Sequence, residues 1–142
     1  MMLELRMRIV FGLLLLLLAG GSQATEAPAA KRVTIISLND VYRLENLPYV
    51  RALRTRLERR EGPVLMLHAG DFLFPSLLSS RYHGAQMIDA LNHLDGDGAA
   101  VDPQLFVTFG NHEFDKGKQK HAVLLHSRIQ ESQFGWLRSN IE

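Results

Sequence analysis

The chain has 142 residues, of which 46% are hydrophobic and 22% charged, and its formal net charge is +1. This composition fits one globular domain, and the scattered charges argue against nucleic acid as a partner. The sequence contains no cysteine, which excludes disulfides, thiolate metal sites and a cysteine nucleophile.

The N-terminal region has the order of a secretory signal peptide: a basic start, an apolar run over residues 9–20, and small residues at Ser22 and Ala24. We predict a signal peptide over residues 1–24, cleaved after Ala24, and an exposed linker over residues 25–31. The apolar run is shorter than the roughly 20 residues that span a bilayer, so no stable membrane anchor is expected. The protein is therefore expected to be exported, to a periplasmic or extracellular location.

Strands and helices alternate along the rest of the chain. Apolar, β-branched runs predict strands over residues 32–38, 64–71, 105–109 and 134–141. Apolar residues at helical spacing predict helices over residues 48–60, 84–94 and about 118–131, with a loop over 95–103. The order β-α-β-α-β-α-β predicts an α/β fold in which a layered, largely parallel sheet carries flanking helices.

The first predicted helix is amphipathic. Val50, Leu53 and Leu57 recur at helical spacing and predict the face that packs on the sheet. Arginines occupy its other faces, and we expect them to be solvated instead of forming a phosphate-binding patch.

Polar residues follow three of the predicted strands. Asn39 and Asp40 follow the first strand, Asp71 ends the second, and Asn111-His112 follow the third. Since ligands collect beyond the carboxyl ends of parallel strands, we expect these loops to converge on one site. Any one of these loops alone would also fit a turn or a helix cap. The occurrence of three such loops favours a functional site.

The side chains in these loops suggest a metal centre. Carboxylates, an amide oxygen and an imidazole suit divalent manganese, magnesium, zinc or iron. A centre with two cations about 3.5–4 Å apart needs an anionic oxygen as a bridge, which an aspartate at a strand end can provide. Such a centre clamps a phosphate ester and activates water. Glycine-rich nucleotide-binding motifs and a serine-hydrolase G-x-S-x-G motif are not found in the sequence.

Four segments together resemble the N-terminal part of the calcineurin-like metallophosphoesterases, specifically their secreted 5′-nucleotidase branch. They are ISLNDVYRLE at 36–45, HAGDFLF at 68–74, YHGAQMIDALNHL at 82–94 and VTFGNHEFD at 107–115. The resemblance implies that residues 32–142 form the first half of such a domain. It also implies a hydrolase that uses two divalent metal ions to cleave nucleotides or related small phosphate esters.

The resemblance also implies roles for individual residues. Asp40 would bind the first metal, and Asp71 would bridge the two metals. Asn111 would bind the second metal through its side-chain oxygen. His112 would face the phosphoryl group and stabilise charge or protonate the leaving oxygen, and Asp115 would hold the His112 ring.

Tyr42, Glu113 and Asp115 also lie in these loops, and their roles need separate interpretation. Tyr42 stands where the family pattern D-x-H places a histidine ligand, and a neutral phenol is a poor ligand for manganese or zinc. We expect Tyr42 to pack or hydrogen-bond instead of ligating metal, which leaves the first metal site weakened or completed differently. Glu113 is expected to be structural, and Asp115 has an alternative role as the N-cap of the next helix.

The sequence also departs from the family in its histidines. The family completes its centre with later Gly-His and Gly-His-x-His motifs, and neither occurs in this chain. The remaining histidines, expected to be exposed or internally satisfied, are His68, His83, His93, His121 and His126. An alternative hypothesis follows: the chain is a truncated, catalytically inactive fragment that at most binds metal or phosphate weakly.

Overall fold

The computed structural model describes residues 31–115 and 119–138. The predicted signal peptide, all but Lys31 of the predicted linker and the last residues of the chain lie outside these ranges. Export therefore stays a prediction. In the two described ranges, every helix is too short or too polar to cross a membrane.

Four parallel strands form the sheet. They are β1 Thr34–Leu38, β2 Val64–His68, β3 Asp102–Thr108 and β4 Phe134–Leu137. The helices are α1 Leu47–Glu61, α2 Leu77–Tyr82, α3 Ala85–Asn92 and α4 Gln119–Glu131, with short 3-10 helices at Leu44–Asn46 and His112–Phe114. The strands lie in the order β1-β2-β3-β4, and every neighbouring pair is parallel. The predicted α/β class and parallel sheet are confirmed.

Several elements differ from the prediction. β2 ends at His68, three residues before the predicted end, and α3 is three residues shorter than predicted. β3 begins at Asp102, earlier than expected, because the Asp102 amide donates to the Gln133 carbonyl at 2.8 Å and extends the pairing into the predicted loop. The helix α2 was not predicted, since its short sequence has no apolar periodicity. Ser76 starts this helix by accepting a hydrogen bond from the Ser79 amide at 2.9 Å.

One face of the sheet carries the apolar core. Alternate strand residues point into it and are buried: Ile36, Val64, Met66, Leu105 and Val107. Helices α1 and α3 contribute further buried side chains to the same cluster: Leu47, Met87, Ile88 and Leu91. Burial of this shared surface removes apolar area from water and holds the helices against the strands.

The buried face of α1 differs from the predicted one. Val50 and Leu57 pack against the core, but Leu53 is 47% exposed. Arg54 occupies the buried face instead, at 3% exposure, and its Nη2 donates to the Asp102 carboxylate at 3.0 Å. The expectation that the α1 arginines are all solvated is therefore wrong for Arg54, because the start of β3 supplies a buried carboxylate partner.

The strand register places the loops that follow β1, β2 and β3 at one edge. Leu38 at the end of β1 pairs with His68 at the end of β2. His68 in turn lies opposite Val107, next to the last residue of β3. The three strands therefore end at nearly the same level, and the chain that follows each one begins at the carboxyl edge of the sheet.

Candidate functional site

The loops after β1 and β2 continue the pairing of the strands. The Ala69 amide donates to the Leu38 carbonyl at 2.8 Å, and the Asp40 amide donates to the Gly70 carbonyl at 3.4 Å. Asp40 and Asp71 both adopt left-handed backbone conformations, with φ of 54° and 57°. Such values are uncommon for residues other than glycine, although aspartate tolerates them better than most. The two carboxylates thus follow matching turns at the edge of the sheet.

The loops after β2 and β3 touch through two glycines. A Cβ atom on Gly70 would lie 2.0 Å from the Gly110 amide nitrogen, and one on Gly110 would lie 2.1 Å from Asp71 Oδ1. No side chain fits at either position without moving the other loop. Gly70 also has a φ of 89°, which favours glycine. The backbones can therefore approach only because both residues lack a side chain.

A buried carboxylate joins these two loops. Glu113 has no exposed surface, and each of its oxygens accepts two backbone N–H groups. Oε2 accepts from Gly110 and Asp71, both at 2.8 Å, and Oε1 accepts from Phe72 at 3.0 Å and Leu73 at 3.1 Å. We expected Glu113 to be structural. In the structure, three of the four donors belong to the loop after β2.

The loop after β3 brings His112 into contact with Asp71. The His112 amide donates to Asp71 Oδ1 at 2.7 Å. The His112 ring is partly exposed, and its Nδ1 lies 2.5 Å from Asp115 Oδ2. This hydrogen bond to Asp115 is the main cause that raises the pKa of the His112 imidazole. The Asn111 side chain is exposed and does not cap the 3-10 helix.

Asp115 was also considered as the N-cap of α4, a role that depends on the backbone of the residues directly after Asp115. Residues 116–118 lie outside the described residues, so that alternative stays a prediction.

Tyr42 contacts the first aspartate. Its hydroxyl donates to Asp40 Oδ1 at 3.1 Å, and the Asn39 amide group donates to the other carboxylate oxygen. The Tyr42 ring lies edge-on to the His112 ring, with 6.2 Å between centroids. Burial and the hydrogen bond to Asp40 raise the pKa of the Tyr42 phenol. Tyr42 is thus a neutral donor to Asp40 in this arrangement.

The donors at this edge match a divalent cation in type. Asp40 and Asp71 offer carboxylate oxygens and Asn111 an amide oxygen, all of which suit manganese, magnesium or zinc. Within residues 31–115 and 119–138, however, no three side chains of His, Cys, Asp or Glu are grouped so that they could hold a metal ion.

One histidine departs from the expectation that the remaining histidines are exposed or satisfied. His68 is only 2% exposed, and its Nε2 is buried without a hydrogen-bond partner in the described part of the chain. The alternation of Val64, Met66 and His68 along β2 was the sequence signal that could have placed it in the core. The exposed histidines are His83, His93 and His126. The side chain of His121 lies outside the described residues.

Comparison with known proteins identifies relatives of the chain. A family model described as calcineurin-like phosphoesterase matches residues 33–140. A 5′-nucleotidase from Homo sapiens is 32% identical over 145 aligned positions, which cover 89% of this chain and 23% of that protein. A probable 5′-nucleotidase from Treponema pallidum (strain Nichols) is 37% identical over 71 positions, covering 50% of this chain and 11% of that protein. The chain spans less than a quarter of either relative, and no solved structure matches it significantly.

The four hydrogen bonds of Glu113 give a stability prediction. The Glu113→Gln substitution keeps the shape of the side chain but replaces one carboxylate oxygen with an NH₂ group. This group is a donor, and it faces backbone N–H groups that are also donors. We expect the free energy of unfolding to fall by about 3 kcal/mol, because buried donors lose a charged acceptor. Urea denaturation followed by circular dichroism measures the change.

The matched control for this change is Glu45→Gln. Glu45 is exposed, and its carboxylate pairs with the exposed Arg43. Its replacement should change the free energy of unfolding by less than about 0.5 kcal/mol. Equal effects of the two variants would contradict the role assigned to Glu113.

The contact between His112 and Asp115 gives a prediction about pKa. In Asp115→Asn, the ring loses a carboxylate that stabilises its protonated form, so the pKa of His112 should fall toward the ordinary histidine value. An NMR titration of the His112 ring carbons measures this shift. Asp95→Asn, an exposed aspartate in another loop, should leave the His112 titration unchanged. An unchanged pKa in Asp115→Asn would show that the two side chains do not interact in solution.

Proposed function

We propose that this chain, which belongs to the calcineurin-like phosphoesterase family, acts in an exported enzyme that hydrolyses nucleotides or related phosphate esters with two divalent metal ions. One observation carries the proposal. The loops bearing Asp40, Asp71 and Asn111-His112 meet at the carboxyl edge of three adjacent parallel strands, and hydrogen bonds join each loop to its neighbour. Substrates bind at this edge in open α/β sheets.

The names of the relatives support the substrate class. The two relatives described above are named 5′-nucleotidase and probable 5′-nucleotidase. The site also offers oxygen donors and a histidine, which suit phosphate-ester chemistry. We therefore infer a small phosphate ester, with a nucleotide as the first candidate, as the partner of this site.

In this proposal, Asp40 would hold the first cation, the Asn111 side-chain oxygen would hold the second, and Asp71 would supply an anionic ligand to both. The cations, when bound, supply charge neutralisation and Lewis-acid polarisation of the phosphoryl oxygens. The amide of His112 already occupies one lone pair of Asp71 Oδ1, which orients that carboxylate. The side chains thus present oxygen ligands from three loops that the fold holds together.

His112 has a separate task in the proposal. Asp115 engages its Nδ1, so Nε2 is the ring nitrogen left to contact the substrate. A proton at Nε2 can stabilise charge on a phosphoryl oxygen or pass to the leaving oxygen. Asp115 holds the ring in one orientation and favours its protonated form.

A second candidate function is weak binding of metal or phosphate without turnover. The observation that favours it is the hydrogen bond from Tyr42 to Asp40, where the family pattern has a histidine ligand. A metal at Asp40 would have to compete with the Tyr42 and Asn39 donors for the carboxylate oxygens. The two candidates differ in whether the chain releases phosphate.

The bridging role of Asp71 gives an activity prediction. The purified chain should release phosphate from a 5′-nucleotide when Mn²⁺ or Zn²⁺ is added, and EDTA should abolish the release. Asp71→Asn should lower the rate at least about a hundredfold, because it removes the anionic oxygen shared by the cations. A colorimetric phosphate assay measures both effects.

Asp97→Asn is the control, since Asp97 lies in an exposed loop and accepts a hydrogen bond only from the nearby Ala99 amide. Its activity should equal that of the unmodified chain. Phosphate release that survives both EDTA and Asp71→Asn would refute the metal-dependent proposal. A chain that binds Mn²⁺ but releases no phosphate with any divalent metal would establish the second candidate.

The position of Tyr42 gives a prediction about metal affinity. Tyr42→His replaces a donor to Asp40 with an imidazole that can itself ligate a cation. We expect Mn²⁺ or Zn²⁺ to bind at least about tenfold more tightly, since even changes beyond the direct ligands alter metal affinity by that much. Isothermal titration calorimetry measures the affinity and the number of ions bound.

Tyr49→His is the matched control. It makes the same chemical change at a different place, since Tyr49 lies on α1 and is 77% exposed. It should leave the affinity unchanged. Equal affinities for Tyr42→His and the unmodified chain would show that position 42 does not face the first cation.

A further inference from the structure

The buried imidazole of His68 has no role in the proposal above. It is the last residue of β2 and lies on the same face as Val64 and Met66, which point into the core. It is 2% exposed, and one residue, Ala69, separates it from the Gly70-Asp71 turn. A polar ring at this position needs an explanation, since the residues that share this face of β2, Val64 and Met66, are apolar.

The hydrogen bond of His68 defines its tautomer. Nδ1 accepts the Gly70 N–H at 3.1 Å, so Nδ1 carries no proton and the neutral ring is protonated at Nε2. Burial lowers the pKa of His68 to about 4, although the charges of Asp40 and Asp71 act in the opposite direction. The ring is therefore neutral and can act as an acceptor at Nδ1.

The Gly70 amide belongs to the turn that carries the bridging aspartate. Gly70 and Asp71 both have positive φ, 89° and 57°, and the Gly70 carbonyl accepts the Asp40 amide at 3.4 Å. His68 thus binds one side of Gly70 and Asp40 the other. An unpaired N–H at this buried position would be unfavourable, so the His68 contact favours this backbone conformation over others.

The other ring nitrogen shows that packing alone does not explain the histidine. Nε2 is buried without an acceptor in the described residues, and the nearest ring, Phe72, lies 4.8 Å away between centroids. Burial of a donor without an acceptor is unfavourable. An apolar side chain would avoid this cost. The contact of Nδ1 with Gly70 is the interaction that an apolar side chain could not provide.

We propose that His68 is a positioning residue that holds the Gly70-Asp71 turn through the Gly70 amide and so directs the Asp71 carboxylate into the site. Its effect on metal binding rests on the proposed function. Its effect on the turn does not, because the hydrogen bond joins two groups of the chain itself.

Two variants of the full chain separate the acceptor from the shape of the side chain. Asn places its Oδ1 at the position of the histidine Nδ1, whereas Leu places a methyl group there. His68→Asn should therefore keep the hydrogen bond, and His68→Leu should lose it. Met66→Leu is the control for a change of packing on the same face of β2.

Two measurements decide the outcome. In NMR spectra of the metal-free chain, the Gly70 amide proton of His68→Leu should shift upfield and exchange faster with solvent than in His68→Asn. In calorimetry, His68→Leu should bind Mn²⁺ roughly ten- to a hundredfold more weakly, whereas His68→Asn and Met66→Leu should stay near the unmodified chain.

Each result supports or overturns the proposal. A Gly70 amide with the same shift and exchange rate in His68→Leu and His68→Asn overturns it. So does equal Mn²⁺ affinity of the two variants. If the unmodified chain binds no cation, the proposed function fails and the Gly70 amide still decides the role of His68. If His68→Leu does not fold, the tautomer of the unmodified chain decides: an Nδ1–H ring, detected by ¹⁵N chemical shifts, overturns the proposal.

Discussion

Four backbone N–H groups that converge on the buried carboxylate of Glu113 hold the site together. A buried carboxylate is unfavourable unless donors replace the water it loses, and here the amides of two loops supply them. The same amides would be unpaired without the carboxylate. The conformations of the loops after β2 and β3 therefore depend on each other. The close approach of Gly70 and Gly110 follows from these shared hydrogen bonds.

The sheet and the loops determine different features of the site. The parallel register of β1, β2 and β3 brings the strand ends to one level, which sets where each loop starts. The left-handed turns at Asp40 and Asp71 then set the direction of the carboxylates. Strain of this kind concentrates at functional sites, where surrounding contacts hold it in place. The positions of the Asp40 and Asp71 carboxylates thus depend on the backbone conformation as well as on the residue type.

Much of this arrangement could be predicted from the sequence, because it depends on local patterns. Apolar runs and polar strand ends identified the sheet and the edge that carries Asp40 and Asp71. The contacts that could not be predicted join distant positions. Arg54 is buried because a carboxylate 48 positions away, Asp102, lies beside it in space, and helical periodicity carries no information about such a partner. The hydrogen bonds of Glu113 to the loop after β2 could not be predicted for the same reason, because they join residues that are distant in the sequence.

The three loops are not attached with equal strength. Side-chain and backbone contacts lock the loops after β2 and β3 to each other, so a change in one has to be matched in the other. Within the described residues, the loop after β1 is joined to the loop after β2 by the 3.4 Å hydrogen bond from the Asp40 amide to the Gly70 carbonyl, beyond the last strand pairing. Tyr42 of this loop also lies edge-on to the ring of His112. With fewer contacts to match in its neighbours, this loop should tolerate substitutions more readily than the other two.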